Sequence, residues 1–84
     1  MHIENLVHMA NRIGDFFDAM PDREEALDGV ATHLRNYWDP RMRRQLFEHV
    51  DATDGEGLSE FVKTSLQGHR TTLFPSIQMP PTDA

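Results

Sequence analysis

The residues with the widest chemical repertoire in this chain are its five histidines, His2, His8, His33, His49 and His69. A helical metal site needs two of them at i,i+4 spacing or in a His-Glu-x-x-His frame. Neither pattern occurs, so the histidines read as solvated surface residues. Ser59, Ser65 and Ser76 lack the Gly-x-Ser-x-Gly setting of an activated nucleophile. Asp54-Gly55-Glu56-Gly57 brings acids where a phosphate loop needs donors. The run from Asp51 to Gly57 faintly suggests calcium, but its ligand order is not that of an EF-hand and the closing glutamate is misplaced. With no cysteine, disulfides, thiolate nucleophiles, iron–sulfur ligation and cysteine zinc sites are excluded together.

The densest constellation is one of recognition, in Tyr37-Trp38-Asp39-Pro40-Arg41-Met42-Arg43-Arg44-Gln45-Leu46. It sets two polar-tipped aromatics beside three arginines at a helix junction, and Tyr, Trp and Arg are the types enriched at interface hot spots. Tyr37, Trp38, Asp39, Pro40, Arg41, Arg43 and Arg44 are therefore candidate partner-binding residues. A helical wheel points Arg41 and Arg44 outward, away from Met42, Leu46 and Val50. Trp38 reads foremost as the largest plug of the core, while for Arg41 and Arg44 partner contact stands beside the neutralising of nearby acids. As a helix-turn-helix, the same run would open a recognition helix with Arg41–Arg44, but the formal net charge of −6 opposes that.

Helices must position these residues. Ile3, Leu6, Val7, Ala10, Gly14 and Phe17 share one face of a first helix over His2–Ala19, at spacings of three and four. Met9, Ile13, Phe16 and Met20 form a second seam beside it. The helix is either sunk between two neighbours, or the Met9–Phe16–Met20 seam is open to another subunit, which makes those three further candidates. Pro21 stops this helix, and Asp22 with Glu25 forms a capping box for a second. The second helix carries Ala26, Leu27, Val30, Ala31, Leu34, Tyr37 and Trp38. Asp39-Pro40 predicts a cap and first turn for a third helix to about Val50, burying Met42, Leu46, Phe47 and Val50. After the glycine-containing loop from Asp51 to Gly57, a short fourth helix runs from Leu58 to Gln67, with Gly68 as its C-cap.

The expected fold is all-α, a small bundle of three to four short helices with an extended C-terminal arm. Residues 1–68 form the helical domain. Residues 69–84 form an extended or disordered tail whose Leu73, Phe74, Ile77 and Met79 either fold back or dock on a partner. Short connections favour antiparallel neighbours among the first three helices.

Length and charge narrow the function further. Eighty-four residues, 38% of them hydrophobic, make one modest core. That leaves little room for a pocket of roughly 300–1,000 Å³, so a self-sufficient enzyme is not expected. Eight basic against 14 acidic residues disfavour nucleic acid and anionic membranes as partners. Seven of the eight cations are arginines, the exception being Lys63. No signal-peptide pattern and no run of about 20 apolar residues is present, which predicts a cytoplasmic protein.

Three segments carry a resemblance to a known family. They are Asn5 to Phe17 (Asn-Leu-Val-His-Met-Ala-Asn-Arg-Ile-Gly-Asp-Phe-Phe), Pro21-Asp22-Arg23-Glu24, and Val30-Ala31-Thr32-His33-Leu34-Arg35 leading into Tyr37-Trp38-Asp39-Pro40-Arg41-Met42-Arg43. Together they resemble the small delta subunit of NAD-dependent formate dehydrogenase, from the N-terminus to about Val50. Trp38 to Arg43 is the most specific part. The resemblance implies a non-catalytic accessory subunit of a cytoplasmic molybdenum enzyme, supporting assembly, stability or cofactor loading. It implies as partners the large molybdenum-containing subunit and the other subunits of the complex. In that family the large subunit carries bis-molybdopterin guanine dinucleotide and iron–sulfur clusters, and other subunits carry FMN and the NAD site. No catalytic, cofactor-binding or metal residue is carried over to this chain. Two rival classes remain, a helical adaptor or homodimer using the Met9–Phe16–Met20 seam and a small nucleic-acid-binding regulator.

Overall fold

The computed structural model describes residues 2–73. Among them are four helices and one short helical turn, with no strand. The helices are α1 (Ile3–Asp18), α2 (Arg23–Tyr37), α3 (Pro40–Thr53) and α4 (Glu60–Gly68), and the turn is α5 (Arg70–Leu73). The fold is all-α, as the apolar periodicity predicts.

The predicted caps are in place. The Asp22 carboxylate accepts the Glu25 amide at 3.1 Å, and the Asp39 carboxylate accepts the Arg41 amide at 2.7 Å. Ser59, which the sequence reading placed inside the fourth helix, instead caps it by accepting the Val62 amide at 3.2 Å. Helix α4 therefore starts at Glu60, and Leu58 is buried from the loop before it. Helix α3 runs to Thr53, past the expected end at Val50. Its last turn is held by the Thr53 hydroxyl, which donates to the His49 carbonyl at 2.8 Å. It stops where Asp54 takes a left-handed conformation at φ 60°, a geometry that a continuing helix cannot absorb.

Helices α1 and α2 lie against each other, and α4 packs on both. Leu6, Ala10 and Gly14 form the buried line of α1. Gly14 is there because α4 comes too close for a side chain: a methyl group would overlap Val62. Two polar ties fix α4. The Ser65 hydroxyl donates to the Leu27 carbonyl of α2 at 2.7 Å. Asn11 of α1 donates to the Gly57 carbonyl at 2.9 Å and accepts the Ser59 amide at 3.0 Å, pinning the loop that leads into α4.

Two expectations change. Helix α3 packs mainly on α1 rather than folding back along α2. Trp38 (ψ 136°) and Asp39 (ψ 143°) are both extended, so the chain turns a corner there instead of making a hairpin. The packed body also continues beyond Gly68. His69 bridges two elements, its Nδ1 2.9 Å from the Ser65 carbonyl and its Nε2 2.7 Å from the Asp28 carboxylate. Residues 70–73 then turn helically on α2 and α4, and Leu73 is wholly buried. The expected folding back or docking of Phe74, Ile77 and Met79 falls outside the described residues.

Candidate partner-binding surface

The exposed sequence candidates are Phe16 on α1 and a group around the α2–α3 corner, Tyr37, Asp39, Pro40, Arg41 and Arg44. On α1, Phe16 projects from the bundle with 73% of its surface exposed. Its neighbour Phe17 turns toward α2 and meets it edge to face, the ring centroids 5.0 Å apart. Phe17 reaches α2 because residue 29 is glycine: a methyl group there would overlap the Phe17 ring. Beyond Gly29, His33 stands edge-on to Phe17 at 6.4 Å, and the tilted Tyr37 ring lies 4.8 Å from His33. Tyr37 is 74% exposed. Phe16, Phe17, His33 and Tyr37 thus form a ladder of four rings across two helices, open at both ends.

Two shallow grooves flank the ladder, each of about 380 Å³. Arg12, Ile13 and Phe16 line one, and Gly29, Thr32 and Tyr37 line the other, with Phe17 and His33 shared between them. Edge-to-face pairs of this kind hold rings in fixed orientations, and exposed aromatics in a contiguous patch mark interaction surfaces more often than solitary ones.

Not every candidate belongs to this surface. Met9 and Met20 are half-buried and pack on the core, so the proposed open seam reduces to Phe16. Trp38 is 6% exposed and is part of the core cluster. Arg43 is 8% exposed, its Nη1 donating to the Arg35 carbonyl at 3.0 Å across the α2–α3 corner. Trp38 thus takes the core-plug place the sequence favoured rather than that of a surface contact, and Arg43 lies inside rather than among the outward arginines. The extended junction rolls Trp38 inward, and position 43 precedes the buried Leu46 and Phe47 by one helical turn. Pro40, Arg41 and Arg44 are exposed, as is Asp39, whose carboxylate serves as the α3 cap. Arg41 Nε stands 3.9 Å from that carboxylate.

The sequence reading placed Phe17 in the core and left His33 to solvent. The spacing that identifies their role is Gly29–His33–Tyr37, an i,i+4 stripe on α2 with its small residue where α1 crosses.

The same stretch of chain decides the family. The model of the NADH-dependent formate dehydrogenase delta subunit, FdsD, matches residues 5–66. The chain belongs to this family. The matched segment contains the whole ring ladder and the whole arginine corner. FdsD is the accessory delta subunit of a formate dehydrogenase complex, so the other subunits of that complex are its partners. No curated protein and no solved structure matches the chain. Among the described residues, no helix is long and apolar enough to cross a membrane.

Proposed function

We propose that this chain is a non-catalytic subunit that binds the large molybdenum-containing subunit and supports assembly, stability or molybdenum-cofactor loading of a cytoplasmic NAD-dependent formate dehydrogenase. The observation that carries this reading is the ring ladder, solvent-open at Phe16 and Tyr37 and lying within the family-matched segment. A folded domain gains nothing from exposing two large rings, whereas burial of aromatic surface is a main source of binding energy at interfaces. The redox chemistry belongs to the bis-molybdopterin guanine dinucleotide, iron–sulfur, FMN and NAD sites of the other subunits. This chain, without a cysteine, has no thiolate with which to hold a cluster.

Co-expression of a tagged chain with the other subunits, followed by affinity purification and light scattering, tests the reading. The expected result is stoichiometric co-elution with the large subunit, lost when Phe16 and Tyr37 are both changed to Ser. Formate oxidation and molybdenum content with and without the chain then separate stabilisation from cofactor loading. A chain that elutes only as its own monomer or homodimer, with enzyme of full activity formed in its absence, would overturn it.

A further inference from the structure

The α2–α3 corner gathers positive charge that the described residues offset only weakly. Four of its eight cations, Arg35, Arg41, Arg43 and Arg44, fall within ten residues of sequence on a protein of net charge −6. Elsewhere most cations are paired: Arg23 with Asp18 at 3.7 Å, Lys63 with Glu60 at 3.1 Å and Arg70 with Asp51 at 2.7 Å. At the corner, Arg35, Arg43 and Arg44 have no carboxylate partner among the described residues. Arg41 has only the distant Asp39 carboxylate, already engaged as a helix cap. Glu48 is four residues on from Arg44, yet the two make no ion pair; an acid C-terminal to its base is the weaker order for such a pair.

Arg43 adds a buried positive charge behind the exposed pair, Arg41 and Arg44. A guanidinium that is more than nine-tenths buried ordinarily has its donors satisfied. Here Nη1 reaches the Arg35 carbonyl, while Nε is buried with no acceptor among the described residues. The last turn of α2 faces this group with the negative end of its dipole, which offsets part of the charge. The Arg43 Nε is shut off from solvent, so the groups a partner can reach at this corner are the exposed guanidinium groups of Arg41 and Arg44, whose parallel donors match the two oxygens of a carboxylate.

We propose that the α2–α3 corner is a carboxylate-binding site, which docks an acidic surface segment of the formate dehydrogenase subunit to which the chain attaches. The inference rests on the functional reading above and adds to it the chemistry of the partner. Arg41 and Arg44 form the exposed contact that draws in the acidic segment, and the buried Arg43 adds its charge behind them without touching it. Tyr37, at the end of the ring ladder, adjoins the corner in sequence and extends the apolar contact into the charged one.

The test uses the co-expressed complex. Arg44→Glu and Arg23→Glu change the net charge equally, but Arg23 begins α2 and lies about 20 Å along the helix from the corner. At about 0.1 M salt, Arg44→Glu is expected to raise the Kd at least about tenfold, and Arg23→Glu less than about threefold. The gap should shrink as salt rises to about 1 M, where screening acts within about 3 Å. Arg41→Glu, at the other exposed guanidinium, is expected to weaken binding likewise while helical circular dichroism is unchanged. If Arg41→Glu does not fold, Arg44→Glu and its salt series decide alone. Wild-type affinity for Arg44→Glu, or equal losses for Arg44→Glu and Arg23→Glu, overturns the site while leaving the subunit reading intact. Failure of the unaltered chain to bind any subunit overturns both. Duplex DNA or RNA bound by the unaltered chain and released by Arg44→Glu would overturn the carboxylate assignment in favour of phosphate.

Discussion

The Phe17 ring lies on the α-carbon of Gly29, its Cγ 3.0 Å from where a methyl group at that position would sit. Gly29→Ala therefore sets two effects against each other. Helix α2 gains about 0.5–1 kcal/mol from replacing a mid-helix glycine, and the half-buried Phe17 ring must swing aside. Because that ring has solvent to move into, the melting temperature is expected to stay within a few degrees of the wild type, a shift of under about 1 kcal/mol. Co-purification with the large subunit is expected to fall, since Phe17 links Phe16 to His33. A pull-down at wild-type yield would show that the ladder is not the docking surface.

Gly14→Ala presents the opposite balance. The added methyl meets Val62, which is wholly buried and has nowhere to go. Overpacking of this kind costs about 1–3 kcal/mol, more than the helix gains. A domain of this size loses about 4–8 °C in Tm per kcal/mol, so a thermal melt followed by circular dichroism should show a clear drop. A variant as stable as the wild type would mean that α1 and α4 can separate freely.

Phe16→Ser and Tyr37→Ser should leave the isolated chain almost unaltered. Both side chains are exposed, and surface substitutions usually shift stability by no more than about 0.5 kcal/mol. Urea titrations should superimpose on the wild type while complex yield falls for each variant. A large loss of stability in either would assign that ring to the fold instead.

Much of this was legible in the sequence, for identifiable reasons. Asp22 and Asp39 announced their helices because a cap needs only a side-chain acceptor and the next few amides, all local. Leu6, Ala10 and Gly14 were recoverable from periodicity alone. Arg43 was not: its inward position depends on the extended Trp38–Asp39 corner, a tertiary feature, and an arginine in a basic run reads as surface. His33 was missed because a lone histidine is silent until Phe17 arrives from another helix, and Gly29 is what lets it arrive. Residues 70–73 form a turn on the strength of their neighbours, since four residues without packing are too few to nucleate a helix.

Trp38 is the single tryptophan of the chain and lies in its core. Trp38→Ala is expected to cost about 3–5 kcal/mol, comparable to the whole stability of a domain below about 80 residues. Far-UV circular dichroism at 25 °C should show a largely unfolded chain. A folded Trp38→Ala variant that no longer binds the large subunit would instead move this residue to the interface.

Asn11→Ala removes both hydrogen bonds that tether the 57–59 segment to α1. The expected loss is about 1–3 kcal/mol. Amide exchange should locate it, with protection falling first in the loop and the opening turn of α4.

Family membership can be recognised from residues 5–66, but the last wholly buried side chain described is Leu73. Between those two points His69 binds Asp28, and Arg70 binds Asp51 and lies 5.0 Å over the Phe47 ring. A fragment trimmed to the recognisable segment would therefore lose a keystone: it would open a leucine-sized hole and release two carboxylates from their partners. Any graft of this bundle onto another protein must carry its seam through residue 73, because the unit that folds is longer than the unit that is recognised.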